Sequence, residues 1–176
     1  MLNSNQEELI DVVNSSLQWL NIDTEPGLRG ILEHLTLPAL RYLCVQEKEI
    51  PFDISEGLVD YWDYSWPQEE VTSFLTRSSC FLEELVLIQL HLSESDLIEC
   101  LQRTSPSLTY ITVKDCDYVC FDDTVLAQLT YHGQTSFLCP NLESIEFRGP
   151  PTFSHGALAN MVYSRWQSSV AAEAPV

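Results

Sequence analysis

Basic residues are scarce in this chain. Eight Lys and Arg residues stand against 26 Asp and Glu residues, which gives a formal net charge of -18 at pH 7. A surface with that charge repels nucleic acid phosphates and anionic lipids, so we expect neither nucleic acid nor a membrane as a partner. The charge serves solubility, and it would also suit a basic protein partner.

Glycine is also scarce, and the motifs that depend on it are missing. The chain has 6 glycines and no Gly-x-Gly-x-x-Gly or other Gly-rich loop that could cradle a phosphate. Gly-x-Ser-x-Gly and His-Glu-x-x-His do not occur either. None of the 4 histidines belongs to a recognisable set of base, nucleophile and orienting group. We therefore expect no catalytic residue, no cofactor and no enzyme activity.

The 6 cysteines do not follow a metal-binding pattern. Cys116 and Cys120 form a close pair, and the other cysteines are scattered along the chain. A zinc site needs a second close pair or two suitably spaced histidines, so we expect no metal. Single cysteines among Leu and Phe are usually small core residues.

Long apolar runs are absent. No stretch approaches the roughly 18 apolar residues that indicate a transmembrane helix, and the opening MLNSNQEELI lacks the basic and apolar regions of a secretory signal. With 176 residues, 45% of them apolar, the chain can bury the core of one ordinary domain. These features predict a single domain in the cytoplasm or the nucleus.

What the chain does contain is a recurring six-residue pattern. The template Leu-x-x-Leu-x-Leu is matched by LQWLNI at 17, LRYLCV at 40, LEELVL at 82, LTYITV at 108 and LESIEF at 142. Two of the intervals fall in the range of about 20 to 29 residues that is typical of leucine-rich repeats, and two need insertions. Pro38, Pro106 and Pro140 each lie two residues before a match, where proline separates a helix from a strand.

Apolar residues at helical spacing precede four of these matches, in the ranges 28–35, 71–75, 97–101 and 125–129. Ser93 and Asp96 have the spacing of a capping box, and Asp122 and Asp123 can cap the next helix. A unit of one helix and one strand cannot bury both faces alone, so the units must stack. We predict an α/β leucine-rich repeat solenoid, a right-handed superhelix with parallel strands on its concave face and helices on its convex face.

The solenoid interpretation predicts a buried set of side chains and a capping helix at each end. The N-terminal cap is predicted over residues 5–14, and the C-terminal cap is predicted to begin after Ser154. Its apolar stripe comprises Leu158, Met161, Val162 and Trp166. The predicted buried residues are Leu40, Leu43, Val45, Leu82, Leu85, Leu87, Leu108, Ile111, Val113, Leu142 and Ile145.

Several stretches resemble one known family. LTLPALRYLCV, FLTRSSCFLEELVL, DLIECLQRTSPSLTYITV, LCPNLESIEF and FSHGALANMVYSRW together are similar to the leucine-rich repeat region of F-box proteins from mushroom-forming fungi. The resemblance implies a substrate receptor, in which an N-terminal F-box docks on the adaptor of a cullin-RING ubiquitin ligase. The repeats of such a receptor hold the protein that is to be ubiquitinated, and they carry no catalytic residue.

The chain departs from that family at its start. An F-box is longer than the segment ahead of Leu17, and no Leu-Pro-x-Glu opening occurs there. A ligase adaptor is therefore an expected partner only if an F-box lies upstream. Two alternatives stay open: a stand-alone structural or scaffolding repeat protein, and a truncated gene fragment without a link to ubiquitin.

The residues between the template positions are predicted to line the concave face. We expect five of them to bind a protein partner: Trp19, Tyr42, Tyr110, Lys114 and Arg148. Aromatic rings supply a large contact area at a small entropic cost. In the alternative interpretation, the aromatic residues only cover the sheet as cross-strand neighbours.

A second candidate surface is the acidic, aromatic insertion at 47–70. Asp60 and Asp63 are its candidates for binding a basic, partly apolar segment. In the alternative interpretation, aromatic residues such as Trp62 and Trp66 close a gap between units, because an exposed cluster of aromatic rings would favour aggregation. The predicted domain covers residues 1–166 and includes this insertion, and residues 167–176 are predicted to be a flexible tail.

Overall fold

The five template matches each lie at a strand of a parallel sheet. The structure, a computed structural model, describes residues 11–24, 28–48, 65–116, 121–133, 137–149 and 152–172. In chain order the elements are β1 (Val12–Val13), β2 (Trp19–Thr24), α1 (Leu28–Glu33), β3 (Leu35–Thr36), β4 (Tyr42–Glu47), α2 (Gln68–Ser78), β5 (Glu84–Ile88), α3 (Glu94–Thr104), β6 (Tyr110–Lys114), α4 (Asp123–Leu129), β7 (Ser144–Arg148) and α5 (His155–Ala172).

The main sheet of the described part of the chain has the order β2-β4-β5-β6-β7, and every neighbouring pair is parallel. The register places Leu43 beside Leu85, Leu85 beside Ile111, and Ile111 beside Ile145. The template leucines of successive matches are therefore direct neighbours. The predicted α/β arrangement of parallel strands in chain order is confirmed.

A recurring set of backbone hydrogen bonds fixes this register at the start of the strands. The carbonyl of Gln18 accepts from the N–H groups of both Arg41 and Tyr42, at 2.9 Å each. The carbonyls of Arg41, Glu83 and Thr109 accept the corresponding pair of N–H groups from the next unit, at 2.8 to 3.1 Å. One carbonyl per unit thus binds two donors of its neighbour.

The strands also end in a common way. Gln89 and Asp115 directly follow β5 and β6 and have positive φ angles of 54° and 52°. This conformation is costly for residues other than glycine, but each residue donates its N–H to the neighbouring strand, to Lys114 O at 2.8 Å and to Arg148 O at 2.9 Å. Pairing between strands therefore holds the turn that directs the chain away from the sheet.

The helices cover one face of the sheet, and the core lies between the two layers. Strand residues such as Leu85 and Ile111 belong to the same buried cluster as Phe74, Leu97 and Leu126 of the helices. The predicted inward residues from Leu40 to Val113 are all buried: Leu40, Leu43, Val45, Leu82, Leu85, Leu87, Leu108, Ile111 and Val113.

The same prediction is wrong for the last unit. Leu142 and Ile145 are only partly buried, although they pack against the core. Strand β7 lies at the edge of the sheet, where β6 is its paired neighbour and its outer side has no strand among the described residues. An inward residue on an edge strand is covered on fewer sides than the same residue on an inner strand.

Two helix starts follow their predicted capping patterns. Ser93 Oγ accepts the N–H of Asp96 at 3.2 Å, and Asp96 Oδ2 accepts the N–H of Ser93 at 3.1 Å, which completes the capping box of α3. Asp122 Oδ1 accepts the N–H groups of Thr124 at 2.8 Å and Val125 at 3.1 Å at the start of α4. These bonds satisfy donors that a helix leaves open at its first turn.

The predicted N-terminal capping helix is wrong where the structure describes it. Residues 5–10 of the predicted helix lie outside the described residues, and Val12 and Val13 form strand β1, which pairs in parallel with β3. The N–H of Val12 donates to His34 O at 2.7 Å. Two adjacent β-branched residues favour an extended backbone, and β3 supplies the partner strand that sequence periodicity could not reveal.

The predicted C-terminal helix is present as α5. Ser154 Oγ accepts the N–H of Ala157 at 3.2 Å, as expected for its cap. Leu158 and Met161 pack against the core, but Val162 and Trp166 are 55% and 61% exposed, so half of the predicted stripe is wrong. The helix is rotated so that Arg165 faces inward instead. It also continues to Ala172, through residues 167–172 that the sequence pattern assigns to a tail.

Arg165 explains this rotation. Its guanidinium donates to the carbonyls of Leu129 at 2.9 Å, Cys139 at 2.9 Å and Leu138 at 2.8 Å. These carbonyls lie at the end of α4 and in the following connection. Helix α5 is thereby fixed to the preceding helix and connection by one side chain that donates to three backbone carbonyls.

Arg77 on α2 makes the same kind of contact at the other end of the sheet. It donates from Nη2 to Leu32 O at 2.7 Å and to Leu35 O at 2.8 Å. Both acceptors are at or just beyond the end of α1. Two arginines thus tie a helix to the carbonyl end of the helix before it.

Within the described ranges, no helix is both long and apolar enough to cross a membrane.

We expect Ile111→Ala to cost about 2 to 5 kcal/mol in the free energy of unfolding, because it opens a cavity in the centre of the core. Ile145→Ala removes the same atoms from the neighbouring position on the edge strand and should cost clearly less. Urea denaturation of both variants measures the two losses. Equal losses would contradict the difference in burial between these two positions.

Arg165→Met should lower the free energy of unfolding by about 1.5 to 3 kcal/mol, since it keeps the length of the side chain but removes a charged donor from partly buried carbonyls. Arg103→Met, at an exposed position of α3, is the matched control and should change it by less than about 0.5 kcal/mol. Thermal and urea unfolding provide the measurement, and an Arg165 variant as stable as the control would refute the anchoring role.

Candidate functional site

The side of the main sheet that faces away from the helices carries three rows of side chains, which we call the open face. The first row is Trp19, Tyr42, Glu84, Tyr110 and Ser144. The second row is Asn21, Cys44, Val86, Thr112 and Glu146. The third row is Asp23, Gln46, Ile88, Lys114 and Arg148. Each row contains residues that are direct partners across successive strands, as the sequence predicts.

The first row begins with a pair of stacked aromatic rings. The centroids of Trp19 and Tyr42 are 4.8 Å apart, and their planes make an angle of 24°. Trp19 is 67% exposed, so most of its indole surface faces solvent. Stacking fixes the orientation of both rings, which leaves a rigid apolar surface at the β2 edge of the open face.

Tyr110 provides the second aromatic surface of that row. It is 45% exposed, and its hydroxyl donates to Glu143 Oε2 at 3.1 Å. The hydrogen bond to this carboxylate, together with the negative charge of Glu143, raises the pKa of Tyr110. The bond stabilises the neutral phenol, and it directs the ring towards β7 because Glu143 directly precedes that strand.

The second row is closed to solvent in the middle of the sheet. Cys44 and Val86 are 5% and 8% exposed, although they lie on the face without helices. Burial is the main cause that raises the pKa of the Cys44 thiol and also that of Tyr42 beside it. Cys44 therefore remains a neutral thiol at neutral pH, which argues against a reactive role.

Charged residues dominate the β6 and β7 end of the second and third rows. Lys114 Nζ is 3.1 Å from Glu146 Oε1, and Arg148 Nε is 3.9 Å from the same oxygen. At the opposite end of the third row, Asp23 Oδ2 lies 3.2 Å from Lys48 Nζ. The two predicted basic residues are thus together, and they share one carboxylate.

The structure brings together Trp19 and Tyr42 by direct contact and places Tyr110, Lys114 and Arg148 on the same face. Asp60 and Asp63 lie outside the described residues. At the end of the insertion, Trp66 is 9% exposed, and its neighbour Ser65 forms a parallel bridge with His91. Trp66 therefore packs in the core and does not present an exposed ring.

Sequence reasoning missed the charged residues that border the first row. Arg41 and Glu83 form an ion pair directly before β4 and β5, and Glu143 binds Tyr110 from the position before β7. All three occupy the second position of a template match. The template position could have identified these residues. In four of the five matches, the carbonyl of the residue at this position accepts N–H groups from the start of the next strand, which keeps the residue beside the first row.

In comparisons with protein-family models, with curated proteins and with solved structures, the chain has no match. In the part of the chain that the structure describes, no three His, Cys, Asp or Glu side chains are close enough to hold a metal ion together. The open face combines exposed aromatic rings with charged side chains near the surface.

The hydrogen bond from Tyr110 makes a spectroscopic prediction. The pKa of this phenol should be above its ordinary value of 10.0 in the native chain and should fall towards that value in Glu143→Gln. Glu146→Gln removes a carboxylate that is paired with Lys114 instead. This variant should leave the pKa of Tyr110 above its ordinary value. NMR titration of ring-labelled tyrosine measures both, and a Tyr110 pKa unchanged by Glu143→Gln would show that the bond does not persist in solution.

Proposed function

We propose that this chain is a leucine-rich repeat protein whose open face binds another protein. The observation that carries the proposal is the first row of the open face, where Trp19, Tyr42 and Tyr110 occupy equivalent positions on three parallel strands. Trp19 is largely exposed and Tyr110 nearly half exposed, despite their size. Exposed aromatic residues that are held rigid are typical of the centres of protein interfaces.

The repeat assignment is part of the same proposal. Its support is the recurrence of one unit, in which a helix precedes a strand and a carbonyl before the strand accepts two N–H groups from the next unit. Units that are stabilised by their neighbours in this way form a solenoid when they are stacked. In the solenoid we propose, the open face is the concave face.

The chemistry of the open face favours binding over catalysis. Lys114 and Arg148 are adjacent to Glu146, and Tyr110 is hydrogen-bonded to Glu143. Burial raises the pKa of Cys44, the cysteine of this face. Such groups can form ion pairs, hydrogen bonds and aromatic contacts with a ligand, whereas catalysis would need a base, nucleophile or metal set poised for reaction.

The resemblance to fungal F-box proteins adds a narrower proposal, in which the bound protein is a substrate of a cullin-RING ubiquitin ligase. The support is the resemblance of the quoted stretches to the repeats of that family. Co-purification of a ligase adaptor with the product of the whole gene tests it. Binding of a partner without any adaptor would favour a stand-alone scaffolding role, and the open face would then serve the scaffold.

We expect Trp19→Ala and Tyr110→Ala to reduce capture of a specific partner at least about 30-fold, because aromatic anchors at the centre of an interface cost about 2 kcal/mol or more when truncated. The measurement is quantitative affinity capture from a lysate of the source organism with the purified chain as bait. Melting temperatures of the variants must stay close to that of the native chain.

Tyr163→Ala is the matched control. Tyr163 is 56% exposed, similar to Tyr110, but lies on α5 outside the open face. It should leave capture unchanged. If the control abolishes capture while both open-face variants bind normally, the interface is on α5 and the proposal is wrong.

A further inference from the structure

Glu84 occupies the centre of the first row of the open face. The register places it directly between Tyr42 of β4 and Tyr110 of β6. Its negative charge is among the causes that raise the pKa of both tyrosines. The carboxylate and the two rings therefore form one local group on adjacent strands.

The rings of Tyr42 and Tyr110 each make a contact with a residue beyond their own strand. Tyr42 stacks on Trp19 of β2, and Tyr110 donates its hydroxyl to Glu143, which directly precedes β7. These two contacts hold the rings on strands that flank Glu84. Strands β4 and β6 are two strand spacings apart, about 9 to 10 Å. Strand β5 lies between them, so the partly exposed carboxylate of Glu84 has a tyrosine on the strand at each side.

Glu84 also differs from the other carboxylates of the open face in its charge environment. Asp23 has Lys48 as a partner, and Glu146 has Lys114 and Arg148. Among the residues that the structure describes, no ion pair or hydrogen bond of the Glu84 side chain occurs. Glu84 is partly exposed, so its negative charge is accessible to a ligand.

We propose that the position between Tyr42 and Tyr110 binds an arginine side chain of an extended protein segment, with Glu84 as its counter-ion. This inference rests on the proposed function and specifies the chemistry of the partner. A guanidinium group pairs with a carboxylate through two parallel N–H donors and also stacks on aromatic faces. Both kinds of acceptor are present here, on a chain whose net charge of -18 attracts basic segments.

Arginine fits this position better than lysine. The ammonium of lysine is a compact, strongly hydrated charge, whereas the planar guanidinium is weakly hydrated and can lie against a ring. The remaining residues of the row suit an extended segment that crosses the strands, since Trp19 offers an apolar surface and Ser144 a small polar end. The segment would therefore place its arginine at the centre of the row.

The test is an NMR titration of the ¹⁵N-labelled full chain with the peptide acetyl-Gly-Gly-Arg-Gly-Gly-amide. The control ligand is the same peptide with citrulline, which keeps the shape of arginine and removes its charge. We expect shift changes centred on the amides of Tyr42, Glu84 and Tyr110. Binding of the arginine peptide there should be about tenfold tighter than binding of the citrulline peptide, as for a charged hydrogen bond.

Glu84→Gln should remove this preference, and Glu69→Gln should retain it. Glu69 lies on an exposed position of α2, so its variant has the same net charge as Glu84→Gln and corrects for nonspecific attraction. Tyr110→Leu is a second variant that removes a ring and keeps Glu84. It should weaken the arginine peptide, whereas Tyr110→Phe should not. Folding of each variant is checked from its ¹⁵N spectrum.

Equal affinities for the arginine and citrulline peptides, shift changes spread over the helices, or retention of the preference in Glu84→Gln would each overturn the proposal. A lysine peptide that binds more tightly than the arginine peptide would also overturn it. If partner capture still depends on Trp19 and Tyr110 in any of these cases, the protein-binding function stands and the arginine site alone fails. If the peptide titration finds the arginine site but Trp19→Ala and Tyr110→Ala leave partner capture unchanged, the proposed function fails instead.

Discussion

The structure depends on one constraint: each helix and strand unit can bury its apolar surface only against the next unit. A single strand exposes its template leucines on one face and its backbone donors on both sides. Helices supply the cover for the leucines, as Phe74, Leu97 and Leu126 do above the sheet. Neighbouring strands supply the acceptors, through carbonyls such as those of Arg41 and Glu83. The parallel register follows from satisfying both requirements at once.

The same constraint produces the open face. Because the helices all contribute to one core, the opposite side of the sheet remains without a second layer in the described part of the chain, and its side chains must tolerate water or bind a ligand. On the inner strands, Cys44 and Val86 of this face are buried. The edge strand β2 instead presents Trp19, which is stabilised by stacking on Tyr42. The rows that stabilise this face of the sheet are thus the ones to which we assign partner binding.

The ends of the sheet show how the interior arrangement is terminated. At one end, α5 contributes Met161 to the core and Arg165 to the carbonyls of the preceding connection. At the other, β1 pairs with β3 beside the main sheet. Arg77 and Arg165 have a common physical role, because a carbonyl at the end of a helix is an acceptor without an intrahelical donor. Long side chains with several donors satisfy such acceptors where the next unit does not.

The amino-acid sequence alone determined the alternation of helices and strands, the positions of the strands of the main sheet and the rows of the open face. It did so because alternation in a strand and helical spacing are local properties of the sequence, as in LRYLCV and LEELVL. Capping residues such as Ser93 were predictable for the same reason. Tertiary structure decided the features that depend on contacts with residues distant in the sequence. The strand at Val12 needs β3, the incomplete burial of Ile145 follows from its edge position, and the inward rotation of Arg165 follows from carbonyls in another unit. The pairing of Glu84 with a tyrosine on each side likewise arises only when three strands lie in register, since these residues are far apart in the chain.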